Sequence, residues 1–274
     1  MLKEKIIFFN HFHNGDLHHS RNFVKYFINN YKKNIDYLYA HENSVEILQD
    51  IPNCTYENIK NLQINYKEQI INNGNSIYIN TWVGQLNFKY LNLGFGCSFK
   101  TNLKLWKDIY NYFKIDMPDD LNILLPSIDL EFKSITPDKK CILFCNNITR
   151  SGQSDNFNMS ELIFNYAIQN KNIECVVSNW DLINKKMPEN VKRIDDYCLN
   201  DLNHIGIFSQ KCDIIVGRTS GPFCFTLTKN NYFMNKVFIS FANGNEDDVF
   251  WHTTDKNKYF ILKKENANDL IAIK

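Results

Sequence analysis

The sequence lacks an excess of charge of one sign, and it lacks a long apolar run. Its 274 residues hold 31 lysines and arginines against 30 aspartates and glutamates, a formal net charge of +1. A balance so near zero argues against a protein that binds nucleic acid by broad charge neutralisation. No stretch approaches the ~20 apolar residues of a membrane-spanning helix, so we expect peripheral association to be the only contact with a membrane.

The sequence also lacks the features of a secreted protein. Its first apolar run, 5–9, is shorter than the apolar core of a signal peptide, which spans roughly 7–15 residues. The eight cysteines include no CxxC pair and mostly lie inside apolar runs, which is typical of buried, reduced thiols. We therefore expect a cytoplasmic protein in which 5–9 is a core strand.

Alanine is scarce and asparagine is abundant, with 5 and 40 residues respectively. The asparagines are spread over the whole chain, whereas a prion-like tract would concentrate them in one segment. The bias is therefore typical of the codon usage of an AT-rich genome. Apolar residues make up 44% of the chain and include 21 phenylalanines, which is enough for a packed core.

Short apolar runs alternate with segments of helical spacing along the whole chain. The expected strands are 5–9, 35–40, 76–82, 140–146, 174–178, 191–194, 212–216, 236–241 and 259–262. The expected helices are 20–31, 44–49 with a Ser44 cap, 103–113, 158–168, 202–210, 221–227 and 266–273. This alternation predicts βαβ units and parallel sheets.

A segment that holds three of the six prolines, 116–140, divides the pattern into two blocks. We therefore predict an α/β fold with two Rossmann-like domains that face a cleft. The expected boundaries are 1–125 for the first domain, 126–139 for a linker and 140–274 for the second domain. A single larger sheet is the alternative.

The first candidate site follows strand 5–9, where an open α/β sheet binds its ligands. Four of the seven histidines fall within nine residues there, at positions 11, 13, 18 and 19, and Asp16 follows a glycine in the turn 14–16. His13 or Asp16 can act as a general base. A solvated polar turn is the plainer interpretation.

A metal site is the second chemistry that these histidines suggest. His11 and His13 form an HxH pair, as in metal-dependent amidohydrolases, and Asp16 lies close to them in the chain. Such enzymes take further ligands from later strands. The rest of the chain offers His41, His204 and His252, with no second HxH or HxxxH, so the metal hypothesis is the weaker one.

The second candidate site is the polar segment after strand 140–146. Arg150 can pair with phosphate oxygens, and the small residues Ser151, Gly152 and Ser154 allow close approach of a ligand to the backbone. The segment contains neither GxxxxGK[ST] nor GxGxxG, so it predicts neither a Walker loop nor the usual NAD site. An ordinary polar loop is the alternative.

The third candidate site follows strand 212–216. Arg218, Thr219, Ser220 and Gly221 are followed by a proline in the first turn of a helix. Backbone N–H groups, two hydroxyls and a cation are the groups that bind pyrophosphate. A tight strand–helix turn with a capping hydroxyl is the alternative.

Two weaker signals concern sugars. Segment 242–252 is acidic and could hold sugar hydroxyls, although an acidic surface loop is as consistent with its composition. Trp82 could stack on a sugar ring, and Gln85 and Asn14 are further candidates to bind the acceptor or the sugar. A core tryptophan is the favoured interpretation of Trp82.

The order of these motifs resembles that of the two-domain GT-B glycosyltransferases, and most closely the ADP-heptose:lipopolysaccharide heptosyltransferase family. In that family a first strand leads to a Gly-Asp pair whose aspartate is the suspected base, and Gly15-Asp16 matches it. A glycine-containing turn at the donor phosphates corresponds to 217–222. Arg218 stands where an acidic residue is usual in the family.

The resemblance implies metal-independent transfer of a hexosyl or heptosyl group from a nucleotide-sugar to a glycan or other hydroxyl acceptor, as in polysaccharide biosynthesis. It implies inversion with Asp16 as base, aided by His13 or His11, an N-terminal acceptor domain and a C-terminal donor domain. No cofactor and no nucleic-acid partner are expected. The alternatives are a metal-dependent hydrolase that uses His11, His13 and Asp16, and a non-catalytic nucleotide- or glycan-binding module.

Overall fold

The protein is described here by a computed structural model, which covers residues 4–10, 13–31, 34–42, 45–62, 64, 67–82, 98–131, 135–150, 152–244 and 246–272. The chain divides into two compact units, Met1–Ser127 and Ile128–Lys274. Among the described residues, no helix combines the length and the apolar character needed to cross a bilayer.

The described part of the first unit is a five-stranded sheet with helices. Its elements are β1 (Lys5–Phe9), α1 (Asn14–Asn30), β2 (Asp36–His41), β3 (Cys54–Asn58), β4 (Ile70–Asn73), β5 (Ser76–Asn80) and α2 (Phe99–Phe113), with short 3-10 helices at Val45–Leu48, Ile59–Asn61 and Leu121–Leu124. The strand order is β3-β2-β1-β5-β4. The pairs are parallel except for the antiparallel pair β4 and β5.

Strand β1 lies in the middle of this sheet, between β2 and β5, and both of its faces are covered. On one face Phe8 meets Phe27 of α1, with ring centroids 5.3 Å apart, and the ring of Phe23 stacks on Trp106 of α2. On the other face Ile7 and Phe9 belong to a separate apolar cluster. A strand that is buried on both faces reads as a continuous apolar run, which is why 5–9 could be recognised in the sequence.

The second unit is a larger parallel sheet with helices. Its elements are β6 (Cys141–Cys145), α3 (Ser160–Gln169), β7 (Glu174–Val177), β8 (Val191–Arg193), α4 (Leu202–Phe208), β9 (Ile214–Arg218), α5 (Gly221–Thr226), α6 (Lys229–Phe233), β10 (Val237–Phe241), α7 (Glu246–Val249) and β11 (Lys258–Leu262), with 3-10 helices at Trp180–Leu182, Ile194–Asp196, Ser209–Lys211 and Lys264–Ala272. Six strands of the described chain pair in the order β11-β10-β9-β6-β7-β8.

That order is the 3-2-1-4-5-6 order of the Rossmann fold when it is counted from β6. After β6 the chain builds β7 and β8 on one side, and then crosses to build β9, β10 and β11 on the other. The order therefore reverses between β6 and β9. In the first unit the order reverses in the same way between β1 and β5. Ligands of such sheets bind outside the carboxyl ends of the strands at this switch point.

The expectation of two mostly parallel sheets with flanking helices, an α/β fold, is confirmed, and the nine expected strands are all present with small shifts at their ends. One expectation needs correction. Residues 14–16 were expected to form a turn before a helix at 20, but α1 begins at Asn14 with His13 as its N-cap. The cap of the segment 44–49, Ser44, lies outside the described residues, and the last segment is a 3-10 helix rather than an α-helix.

Candidate active site

The switch point of the second unit gathers two of the three expected sites. Cys145 at the end of β6 pairs in register with Gly217 of β9, so the chain that follows each strand leaves the sheet at neighbouring points. We call residues 146–157 the switch-point loop. Ser151 lies outside the described residues. The turn after β9 contains Thr219 and Ser220 and leads into α5.

Arg218, the last residue of β9, is hydrogen-bonded to the backbone of the switch-point loop. It is 2% exposed. Its Nη1 donates to the carbonyls of Asn146 at 2.6 Å and Asn147 at 3.1 Å, and its Nε donates to the carbonyl of Asp155 at 3.2 Å. Its Nη2 donates to the carbonyl of Phe157, and the guanidinium lies 5.1 Å from the centroid of that ring.

These contacts differ from the phosphate-binding role that was expected for Arg218. A guanidinium has five N–H donors, and among the described residues Arg218 makes four hydrogen bonds, all to backbone carbonyls. Burial lowers the pKa of Arg218, but arginine stays charged at neutral pH because its ordinary pKa is above about 12. The buried, charged side chain therefore stabilises the backbone of the switch-point loop.

Three further contacts close the switch-point loop. The side-chain amide of Asn156 donates to the Thr149 carbonyl at 2.8 Å and accepts from the Thr149 N–H at 2.8 Å. Ser154, which is 4% exposed, donates its hydroxyl to the carbonyl of Phe241 at the end of β10. Ser154 is among the residues predicted to lie at the donor phosphates, and its hydroxyl anchors the loop to the sheet.

The tip of the loop presents the remaining expected residues to solvent. Arg150 and Gly152 are exposed. Gly152 has a φ of +70°, and a Cβ added there would meet nothing within 4 Å. The left-handed conformation explains the glycine, and Arg150 provides an accessible positive charge.

Two buried hydroxyls at the switch point have no hydrogen-bond partner among the described residues. Thr149 is 5% exposed and Ser220 is 7% exposed, yet the Oγ1 of Thr149 and the Oγ of Ser220 are both unpartnered. Ser220 is the N-cap residue of α5 but its hydroxyl does not bond to the helix. A buried polar atom without a partner costs free energy, so both hydroxyls suit a ligand that is rich in oxygen acceptors.

Two residues flank Ser220 in the turn. Thr219 is half-buried, and its Oγ1 lies 3.5 Å from the Oγ of Ser240. At Gly221 the nearest atom to an added Cβ is a methyl group of Leu202 at 3.6 Å, an ordinary van der Waals contact. The position of Gly221 would therefore tolerate a small side chain.

In the first unit, Asp16 lies in the first turn of α1. Its carboxylate is half-buried, and its Oδ2 accepts a hydrogen bond from the backbone N–H of the exposed His13 at 3.3 Å. Asn14 is half-buried in the same turn. His11 lies outside the described residues.

A buried chain of hydroxyls connects this face of α1 to the carboxyl ends of the strands. Ser20 lies one helical turn after Asp16 and therefore on the same face. The Oγ of Ser20 is 3.3 Å from the Oη of Tyr39, and that Oη is 2.6 Å from the Oγ1 of Thr81, just after β5. The sequence reasoning gave no role to Tyr39 or Thr81. Strand β2 contains a second tyrosine, Tyr37, so no local signal singles out Tyr39.

The structure describes three of the four clustered histidines, and His13 is exposed. His18 and His19 lie buried within α1, and burial lowers the pKa of His19 to about 3, so its ring is neutral. Within the described ranges, no group of three or more His, Cys, Asp or Glu side chains is placed to hold a metal ion.

The residues and segment suggested for sugar binding are described only in part by the structure. Trp82 is half-buried, and its backbone N–H donates to the Oδ1 of Asn80 at 2.9 Å. Gln85 lies outside the described residues. In the acidic segment 242–252, the N–H of Asn243 donates to the carbonyl of Gln153 at 3.0 Å, which joins this segment to the switch-point loop.

No protein-family model and no curated protein sequence matches the chain, but solved structures do. The glycosyl transferase family 9 structure from Veillonella parvula DSM 2008 has 10% identity and a TM-score of 0.56, over 96% of this chain and 88% of that one. The E. coli heptosyltransferase WaaC with ADP has 8% identity and a TM-score of 0.51, over 98% and 99%. The iron-containing dodecameric glycosyltransferase TibC from enterotoxigenic E. coli H10407 has 11% identity and a TM-score of 0.51, over 93% of this chain and 63% of that one.

These similarities are too low in sequence identity to concern more than the fold. At that level the resemblance deduced from Gly15-Asp16 and from 217–222 is confirmed, because glycosyltransferases of the GT-B type, a heptosyltransferase among them, are structural neighbours. The chain has the α/β fold of GT-B glycosyltransferases.

Proposed function

We propose that this protein is a glycosyltransferase that moves a sugar from a nucleotide-sugar to a hydroxyl group of a glycan or other acceptor. The observation that carries the proposal is the pair of unpartnered hydroxyls, Thr149 and Ser220, at the switch point of a Rossmann-ordered sheet. Phosphate oxygens are strong acceptors for such groups. The exposed Arg150 adds the positive charge that a diphosphate requires.

The fold supports a nucleotide-sugar as the donor. The structural neighbour WaaC was solved with ADP. We infer that a nucleoside diphosphate occupies the switch point here, and that the second unit is the donor domain. The transferred sugar is a hexose or a heptose, and binding of the nucleotides and their sugar derivatives distinguishes the donors.

The proposed reaction is a direct displacement at the anomeric carbon. As the acceptor oxygen bonds to that carbon, Asp16 takes the acceptor's proton, and the bond between the carbon and the diphosphate oxygen breaks. The electron pair leaves with the nucleoside diphosphate, and the configuration inverts. Arg150, Thr149 and Ser220 would stabilise the negative charge that develops on the leaving group.

This mechanism assigns no step to a metal ion. The alternative of a metal hydrolase that uses His11, His13 and Asp16 gains no support from the described residues, because no group of three or more possible metal-ligating side chains is found among them and His11 lies outside them. The alternative of a non-catalytic module drew its support from Arg218 in an acidic position. The contacts of Arg218 with the switch-point loop explain that residue without a loss of turnover.

A thermal-shift screen with ADP, UDP, GDP, CMP and their sugar derivatives tests the proposal. Saturation at 100 times the Kd stabilises a protein by about 2.7 kcal/mol, so one nucleotide family should raise the Tm. The double variant Thr149→Val/Ser220→Ala removes the two hydroxyls of the proposed site, and it should lose most of the increase in Tm that the nucleotide gives the wild type. No shift with any nucleotide contradicts the proposal.

A further inference from the structure

Arg218 is a buried cation with no carboxylate partner among the described residues. Burying a charge is costly unless hydrogen bonds and dipoles replace the lost water. Here carbonyl oxygens of Asn146, Asn147, Asp155 and Phe157 replace it. These carbonyls neutralise no charge, so the switch-point loop lies over a net positive group.

The four carbonyls belong to both ends of one loop. Asn146 and Asn147 leave β6, whereas Asp155 and Phe157 lead toward α3. A single planar guanidinium therefore ties the two ends of the loop together, and the fork of N–H groups in fixed directions is what allows it. A lysine at this position would keep the charge but lose the fork.

The loop that Arg218 ties carries two groups of the proposed donor site. Thr149 has the unpartnered hydroxyl, and Arg150 has the exposed charge. Ser220, which follows Arg218 by two residues, carries the other hydroxyl. Binding groups contribute most when their geometry is fixed before the ligand arrives.

We propose that Arg218 is a positioning residue for the diphosphate of the donor: it fixes the switch-point loop and places an uncompensated positive charge beneath it. The inference rests on the proposed function. It explains why an arginine is suited to a position that is acidic in the family that the sequence resembles. An acidic residue could not donate to the four carbonyls.

The test is calorimetric titration of the nucleoside diphosphate found by the screen into folded wild-type, Arg218→Lys and Arg218→Gln proteins, at temperatures well below each Tm. Loss of the fork should weaken the affinity about tenfold in Arg218→Lys, the effect of one charge-assisted hydrogen bond. Loss of the fork and the charge should weaken it further in Arg218→Gln. A purely structural role would lower the Tm and leave the Kd of the folded protein unchanged, which would overturn the inference.

Two further variants keep the test decisive if Arg218 variants fail to fold. Asn156→Ala removes the two bonds to Thr149 from an exposed residue and leaves Arg218 in place, so it should fold and bind the diphosphate several-fold more weakly. Arg193→Lys changes an arginine at the end of β8, where it lies on the ring of Trp180, and should leave the affinity unchanged. Wild-type affinity in Asn156→Ala would contradict a positioned loop. Failure of the wild type to bind any nucleotide would instead contradict the proposed function.

Discussion

The side-chain amide of Asn156 is joined to the backbone of Thr149 by two hydrogen bonds of 2.8 Å each. One amide group thereby satisfies both the N–H and the carbonyl of a residue seven positions earlier. The pair closes the switch-point loop across its base and holds the Thr149 hydroxyl in a buried position. The substitution Thr149→Val tests the role of that hydroxyl.

Thr149→Val should separate ligand binding from stability. Valine has nearly the same shape, and it removes a buried hydroxyl that has no partner among the described residues. Desolvating such a group typically costs about 1–3 kcal/mol, so the free energy of unfolding in urea should stay level or rise. The affinity for the nucleoside diphosphate should fall. A variant that is clearly less stable would show that the hydroxyl has a partner within the protein.

Gly206→Ala should destabilise the second unit. A Cβ at this position in α4 would lie 2.6 Å from the carbonyl oxygen of Phe225 and 2.6 Å from the Cδ1 of Ile128. Overpacking of this kind typically costs about 1–3 kcal/mol, which exceeds the gain of about 1 kcal/mol from replacing a helical glycine.

Gly221→Ala is the matched control for that substitution. Its nearest contact would be 3.6 Å away, so the Tm should change little, as at most surface positions. Chemical denaturation of both variants checks the pair. Equal stability of Gly206→Ala and the wild type would mean that α4 and α5 pack less closely than described.

Acid should destabilise the fold through His19. Burial lowers its pKa to about 3, whereas an unfolded histidine titrates near 6.5. Below about pH 6.5 the unfolded state binds a proton that the native state does not. The free energy of unfolding therefore decreases as the pH is lowered, by at most about 1.4 kcal/mol per pH unit until pH 3. In His19→Gln, the free energy of unfolding from denaturation curves should change less with pH across this range. The same slope in both proteins would exclude His19 as the source.

Asp16→Asn and Asp16→Ala should differ in stability but not in activity. Both remove the proposed base, which typically contributes 10²–10⁴-fold to a rate. Asparagine can still accept the hydrogen bond from the His13 N–H, so the Tm of Asp16→Asn should match that of the wild type. Alanine cannot accept it, so the free energy of unfolding of Asp16→Ala should fall by about 1 kcal/mol, the typical contribution of a helix cap. Turnover in Asp16→Asn at the wild-type rate would remove Asp16 from the mechanism.

The sequence predicted the apolar strands of both sheets and missed two polar strands, for a physical reason. Strands such as β1, β6 and β9 are buried on both faces and appear as apolar runs. In contrast, β3 and β4 were missed because they are polar and partly exposed at the two edges of the first sheet. Periodicity carries little information in such short, half-buried segments.

The start of α1 was missed because its cap is unusual. Histidine is not among the preferred N-cap residues, and Gly15 weakens the helical pattern. The turn 14–16 was the natural interpretation of Asn-Gly-Asp. In the structure α1 begins six residues earlier, at Asn14, and Asp16 accepts a hydrogen bond from the His13 N–H in its first turn.

The turns after β6 and β9 could be located from the sequence, but the contacts within them could not. Loops at the ends of β6 and β9 were identified from small, polar and basic residues, and Ser220 was among them. The contacts of Arg218 reach back 61–72 residues in the chain, so no local pattern could reveal that it holds a loop. Thr149 was missed because an unpartnered hydroxyl is recognised only from its burial.

The central claim is transfer of a sugar from a nucleotide-sugar, and release of the nucleoside diphosphate measures it most directly. The nucleotide-sugar selected by the thermal-shift screen is incubated with wild type or Asp16→Asn and a panel of hydroxyl-bearing acceptors, and the products are separated by chromatography and identified by mass. The account predicts that nucleoside diphosphate and glycosylated product form together with the wild type, and at least 10²-fold more slowly with Asp16→Asn. A nucleotide-sugar that binds the wild type but remains intact, or equal release by both proteins, would contradict it.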